Sequence, residues 1–355
     1  MEILRFLYFY SVKNKRERKY IRLPQHMWQP FSVLMDRKNV EKRGRKMKQE
    51  QKDLKLWRKV QVDKCIKVVL IFIGTLLMQF LAYLICVPMY MTSHWTRIVH
   101  EVTQEGRVTA GTEEIVDYMM STGMQDMLTS ESGMVIMISM ISAFLCMIWC
   151  GFLYYKSDWR EKPFSYRKAF SKENILGIVG LGFGGCVVLT ILLAVLRAIF
   201  PQAFEAYMKL MENVDLDRGI LTWLYVLLIG PVSEELIFRG AITDRLKIAF
   251  PFGVANLLQA ALFGLYHGNL IQGLYAFGLG MILGLVLKVT GSIWGAVLTH
   301  ILFNCTNYML NSIFVNNSQE TAIGLLIVFA LAVVSFGWGL RHYIKSYEKE
   351  PTIDN

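Results

Sequence analysis

Eight apolar stretches follow one another along this chain, and most are long enough to cross a lipid bilayer. About 20 residues of helix are needed to cross the hydrocarbon core. With 54% of its 355 residues hydrophobic and only 19% charged, the chain is too apolar for an ordinary soluble domain. The sequence therefore predicts an all-α, polytopic membrane protein with about eight transmembrane helices. The stretches cover residues 68–90, 133–155, 174–199, 219–238, 252–267, 270–287, 292–314 and 321–340.

Positive charge is concentrated at the N-terminus. Residues 1–64 contain 19 Lys/Arg and 7 Asp/Glu, a net charge of +12, whereas the whole chain carries +10. Lys and Arg accumulate on the cytoplasmic side of membrane proteins. We therefore expect cytoplasmic N- and C-termini, with residues 91–132, which are mostly acidic, forming an external loop. The expected location is a bacterial cell membrane.

The charge-rich segment 36–64 predicts a cytoplasmic helix. Each basic residue near an anionic membrane surface contributes on the order of 1 kcal/mol of attraction, so anionic lipid headgroups are the expected partners. A solvated tail that only sets the membrane orientation explains the charge equally simply and is favoured over a specific lipid-binding role. No nucleic-acid recognition module accompanies this segment, and we expect no nucleic-acid binding. The six cysteines lie mainly in apolar runs and predict no disulfide framework. We expect no cleaved signal peptide, because the short apolar stretch 6–10 is followed by NKRERK.

Ionisable residues inside membrane helices are energetically costly and therefore informative about function. Glu234, Glu235 and Arg239 stand in PVSEELIFRG, within the fourth stretch and its continuation. Residues four apart share a helix face, so Glu235 is expected to pair with Arg239. Glu234 points about 100° away and is the expected free carboxylate.

Two further helices each carry polar groups at the same four-residue spacing. His300 and Asn304 share one face, and His267 follows Phe263 on another helix. Each feature alone would also fit helix packing, but together they predict a shared internal polar cavity. One carboxylate, two imidazoles and one amide form a suitable set for activating water against a carbonyl group.

At these residues the chain resembles the CPBP family. This family comprises the membrane-embedded CAAX endopeptidases and the bacteriocin-processing or immunity (Abi) proteins. Its motif EExxxR begins here at Glu234, FxxxH begins at Phe263 and HxxxN begins at His300. The resemblance covers about residues 221–308 and implies an intramembrane endopeptidase that acts on a peptide or membrane-protein substrate.

Two chemistries fit the predicted catalytic residues. In the first, Glu234 and His267 deprotonate a water molecule, and His300 and Asn304 stabilise the oxyanion. In the second, Glu234, His267 and His300 bind a zinc ion. We favour the first, with no cofactor, because Asn is a poor zinc ligand and HExxH is absent.

The expected organisation has four parts. Residues 1–64 form the basic cytoplasmic segment, 65–200 the N-terminal transmembrane helices, 201–345 the catalytic core and 346–355 a cytoplasmic tail. The fifth apolar stretch has only 16 residues, so we expect it to be tilted or to begin below the membrane surface, with a turn at residues 268–269. The alternative functions are a non-catalytic scaffold or immunity protein of the same fold and, third, a transporter. Transport would predict inverted repeats, and none is evident.

Overall fold

A computed structural model describes residues 12–13, 20–21, 37–94, 96, 100, 133–156, 169–212, 219–316 and 322–349. Within these residues the chain is almost entirely helical, which confirms the predicted all-α class. Two strands of two residues each, β1 (Val12–Lys13) and β2 (Tyr20–Ile21), pair antiparallel. The helices are α1 (Arg37–Ser93), α2 (Met134–Tyr155), α3 (Lys172–Ile199), α4 (Pro201–Glu212), α5 (Ile220–Ala249), α6 (Phe252–Tyr266), α7 (Leu270–Thr290), α8 (Ile293–Asn316) and α9 (Ala322–Lys349).

Six of these helices are long and apolar enough to cross a membrane, namely α1, α2, α3, α5, α7 and α9. The chain is therefore an integral, polytopic membrane protein. Helix α6, the fifth predicted span, has only 15 residues. Helix α8, the seventh, has 24 residues and lies outside that set of six. The sequence analysis missed α4, which begins at Pro201, where the fixed φ of proline suits the first turn of a helix.

Helix α1 joins the basic segment to the first membrane span without a break. It runs for 57 residues. This confirms a helix from Arg37 onward, and the same helix continues into the first membrane span. Its side chain Gln61 donates a hydrogen bond to the Ala249 carbonyl at the end of α5 (2.9 Å). The N-terminus before Val12 and nearly all of loop 91–132 lie outside the described residues. The orientation of the termini and the lipid contacts stay predictions.

Helix α5 changes its winding on both sides of the paired glutamates. The segments Tyr225–Ile229 and Leu236–Ile242 are π-helical, and the α-helical turn Gly230–Glu235 lies between them. π-Helical turns are rare and are found frequently at functional sites. The sequence predicts one regular helix here and misses both wider turns.

Helices α6 and α7 form a tight hairpin whose turn places His267. Gly268 has φ +66°, and the Asn269 side chain accepts hydrogen bonds from the first amides of α7, so the predicted turn at 268–269 is confirmed. The two helices touch at Gly264 and Gly273. A Cβ built on Gly264 would lie 2.6 Å from the Gly273 carbonyl oxygen. Only residues without a side chain allow this contact.

All six cysteines are free, and four of them are buried: Cys86, Cys146, Cys150 and Cys186. A buried thiol in an apolar helix packs as a small hydrophobic group. Three of the four belong to the main hydrophobic cluster, which also contains Phe238 and Phe263. Phe263 of that cluster packs against Arg239, His267 and His300.

Candidate active site

The centre of the site is an ion pair within α5. Arg239 Nη1 lies 3.0 Å from Glu235 Oε1, and both side chains are fully buried. This confirms the predicted pairing. The second guanidinium nitrogen, Nη2, donates to the Gly280 carbonyl of α7 (3.2 Å). The guanidinium also lies 4.6 Å from the centre of the Phe263 ring, within the range of a cation–π interaction.

His300 of α8 contacts both glutamates. Its Nδ1 lies 2.9 Å from Glu235 Oε1, and its Nε2 lies 3.7 Å from Glu234 Oε2. One carboxylate oxygen of Glu235, Oε1, therefore accepts hydrogen bonds from both Arg239 and His300. The sequence analysis grouped His300 with Asn304 and did not predict this contact, because helical spacing relates residues of one helix only.

The two adjacent carboxylates have different surroundings. The Glu235 side chain is fully buried, whereas that of Glu234 is 17% exposed. Within the described residues, no hydrogen bond or ion pair links Glu234 directly to Arg239. Glu235 is therefore the buried, ion-paired carboxylate and Glu234 the more accessible one, as the four-residue spacing of Glu235 and Arg239 predicts.

His267 stands at the C-terminal end of α6. Its Nδ1 lies 2.8 Å from the Phe263 carbonyl oxygen. Because a carbonyl only accepts, Nδ1 carries the hydrogen, and Nε2 of the neutral ring keeps a lone pair. The Phe263 ring packs edge-on against both His267 and His300, with centroid distances of 4.9 and 5.9 Å. No described hydrogen bond joins His267 to Glu234, so the structure does not bring the expected water-activating pair into direct contact.

Asn304 lies one turn after His300 and faces α5. Its Nδ2 donates to the Val226 carbonyl (2.9 Å), which belongs to the first π-helical segment. One hydrogen of the amide nitrogen and the side-chain oxygen remain outside this bond. The polar groups of α5 and α8 thus meet, whereas His267 of α6 is linked to them through the Phe263 ring, which packs against His267, His300 and Arg239.

The zinc alternative requires Glu234, His267 and His300 to surround one point. Among the described residues, no three His, Cys, Asp or Glu side chains are placed to hold a metal ion. Glu234 and His300 approach each other, but His267 is not grouped with them. Two imidazoles and one carboxylate are suitable zinc ligands, but this structure does not bring the three side chains together. The choice between the two chemistries stays a prediction, and no step below passes through a metal.

The part of the chain that contains this site is similar to known proteins. Residues 217–306 match a family model described as Type II CAAX prenyl endopeptidase Rce1-like. This range contains all six predicted site residues and the three motifs. The resemblance to the CPBP family is therefore confirmed for this part of the chain.

One curated relative supports the same class. The chain is 28% identical over 103 residues to a protein of Bacillus subtilis (strain 168) named "Putative membrane peptidase YdiL". The alignment covers 28% of this chain and 42% of the relative, so less than half of that protein's length is matched. No solved structure matches the chain.

Proposed function

We propose that this protein is an intramembrane endopeptidase that hydrolyses a peptide bond with a water molecule activated by Glu234 and His267. The observation that carries the proposal is the contact of His300 with both glutamates, beside the fully buried Arg239–Glu235 pair. These groups lie on two helices and inside the residues matched by the peptidase family. Helix packing alone does not require so many costly groups at one place.

Glu234 is the general base in this proposal. Glu235 is fully buried, and its Oε1 is bound by both Arg239 and His300. Glu234 is more accessible and makes only the longer contact with His300. Adjacent carboxylates with different surroundings commonly divide their roles in this way.

His267 assists by orienting the same water. Its Nε2 lone pair accepts a hydrogen bond from the water, while Glu234 takes the proton that is lost on attack. The water oxygen forms a bond to the substrate carbonyl carbon, and the carbonyl oxygen becomes the oxyanion. Glu234 then returns the proton to the amide nitrogen as the carbon–nitrogen bond breaks. The products are a free carboxyl group and a free amine.

His300 and Asn304 stabilise the oxyanion. Since Nδ1 of His300 donates to Glu235, its Nε2 can donate as well only when the imidazole is protonated. Asn304, fixed by the Val226 carbonyl, supplies its remaining N–H. Such preorganised donors are effective where water is excluded.

The substrate is proposed to be a peptide or a membrane protein. The family description names a prenyl endopeptidase, so a prenylated peptide belongs in the test set together with the same peptide lacking the lipid. Cleavage of both would make the peptide, not the lipid, the recognised group. Cleavage of the prenylated form alone would assign lipid recognition to the membrane-facing helices.

The test compares membrane peptides from cells producing the wild-type protein with those from cells producing Glu234→Ala. We expect specific cleavage products in the first sample and none in the second, because the variant lacks the base. Glu205→Ala, an exposed carboxylate on α4, is the matched control and should retain the products. Wild-type cleavage by a correctly inserted Glu234→Ala protein would refute the proposal and favour the scaffold interpretation.

A further inference from the structure

Helix α6 carries a buried pair of amides one turn before the FxxxH motif. Gln259 is fully buried and Asn256 is 5% exposed. Gln259 Nε2 donates to Asn256 Oδ1 and to the Gly280 carbonyl, both at 2.8 Å, and Asn256 Nδ2 donates to the Met281 carbonyl (3.1 Å). Burying two amides among apolar helices is costly unless they are hydrogen-bonded. Here one bond joins the two amides, and the other two go to the backbone of α7.

The same backbone carbonyl links these amides to the site. The oxygen of Gly280 accepts from Gln259 Nε2 and also from Arg239 Nη2. Gln259 therefore shares a hydrogen-bond acceptor with the arginine that pairs with Glu235. On α6, Gln259 lies four residues before Phe263, whose ring packs against the same guanidinium. Residues four apart on a helix share a face, so Gln259 and Phe263 lie on the same face of α6, the face whose Phe263 ring contacts Arg239.

Glycine at position 284 provides the space for the amides. A Cβ built on Gly284 would overlap Asn256 Oδ1 and would lie 2.9 Å from Gln259 Nε2. The cluster also contains an unused acceptor, Gln259 Oε1, and an unused donor, Arg239 Nε, which have no hydrogen-bond partner among the described residues. The amide pair is thus fitted closely against α7 at Gly284.

We infer that Gln259 is a positioning residue for Arg239, acting through the shared Gly280 carbonyl. By fixing where the guanidinium binds α7, Gln259 keeps Nη1 on Glu235, and Glu235 in turn keeps His300 in place. Asn256 and Gly284 support Gln259. This inference rests on the proposed function, and it extends the functional face of α6 to Gln259, Phe263 and His267.

The test uses Gln259→Met in the full-length protein, reconstituted in lipid vesicles. The probe is a quenched fluorescent peptide spanning the cleavage site found in the membrane-peptide comparison. Methionine keeps the length and volume of the side chain but cannot hydrogen-bond to Gly280. We expect kcat to fall about tenfold or more with KM changed by less than about twofold, since only transition-state stabilisation is lost. Leu258→Met, which is 37% exposed on the same helix, is the control and should behave as wild type.

A double-variant cycle separates positioning from general destabilisation. If Gln259 acts through Arg239, adding Gln259→Met to Arg239→Lys lowers kcat far less than it does in the wild-type background. Equal losses in both backgrounds would overturn the inference. Gly284→Ala should reproduce the loss by displacing the amides, whereas Gly337→Ala, with nothing within 4 Å, should not.

The outcomes distinguish this inference from the proposed function. An inactive Glu234→Ala protein with a fully active Gln259→Met protein refutes only the role of Gln259. An active Glu234→Ala protein refutes the proposed function itself. If Gln259→Met does not insert, Gln259→Asn tests the same point, because its shorter amide cannot hold both Asn256 and Gly280; wild-type kcat in that variant overturns the inference.

Discussion

Replacing Arg239 by methionine tests the central ion pair most directly. The substitution leaves Glu235 fully buried with one of its two partners removed. It also removes the bond from Nη2 to Gly280 and the contact with the Phe263 ring. Methionine is apolar and of similar length, so the main change is the loss of charge and hydrogen bonds.

The expected loss of stability follows from these contacts. Breaking a buried ion pair by removing one partner costs about 3–5 kcal/mol. His300 remains 2.9 Å from Glu235 Oε1 and compensates part of the charge, which favours the lower end of that range. Since typical proteins have only about 5–15 kcal/mol of stability, this loss is large.

The assay is denaturant unfolding of the purified protein in detergent micelles, followed by circular dichroism. Arg245→Met is the matched control. Its guanidinium lies 3.7 Å from Asp244, which Lys247 also contacts at 2.7 Å. The control also loses the bond from Arg245 to the Ala241 carbonyl. Because Asp244 keeps Lys247 as a second partner, we expect a clearly smaller loss of stability than for Arg239→Met.

The double variant Glu235→Gln with Arg239→Met makes the reasoning refutable. Removing both charges leaves no unpaired buried ion, so we expect this protein to be more stable than Arg239→Met alone. Its activity should not recover, because His300 loses its carboxylate partner. A free energy of unfolding for Arg239→Met equal to that of the wild type would refute the assignment of a buried ion pair. A double variant less stable than Arg239→Met would refute it as well.

Three further predictions concern other parts of the protein. Asn304→Ala should lower the cleavage rate on the order of 100-fold, as expected for an oxyanion donor, and full activity would exclude that role. Purified protein treated with a strong chelator should stay active and contain less than one zinc per chain by elemental analysis; one zinc, lost and restored together with activity, would establish the metal alternative. Topology reporters at Lys13 and after Glu348 should be cytoplasmic and one near Glu113 external, and a cytoplasmic result at Glu113 would contradict the predicted orientation.

Relations within one helix could be predicted from the sequence. The pairing of Glu235 with Arg239 follows from the spacing of four residues, and the turn at Gly268 follows from a glycine after a short apolar stretch. The three motifs mark the correct helices. In each case the information is local, because helical geometry fixes which neighbours share a face.

Relations between helices could not be predicted in the same way. The contact between His300 and Glu235 joins residues 65 apart and depends on how α5 and α8 pack. The bond from Asn304 to Val226 uses a backbone carbonyl, and every residue type has one, so no side-chain pattern indicates it. The π-helical segments have no evident signal in the local composition either. Gln259 is an uncharged residue outside the motifs, and only its buried contacts make it a candidate.

The position of both ion-pair partners on α5 has a consequence for synthesis and membrane insertion. An unpaired arginine in the middle of a membrane helix costs at least about 2.5–3.5 kcal/mol on insertion. Glu235 and Arg239 can neutralise each other as soon as α5 forms. His300 is synthesised 65 residues after Glu235, which at about 5–20 residues per second means a delay of about 3–13 s. We therefore expect α5 to enter the bilayer with Glu235 and Arg239 already paired. The contact between Glu234 and His300 forms only after α8 has been synthesised and inserted.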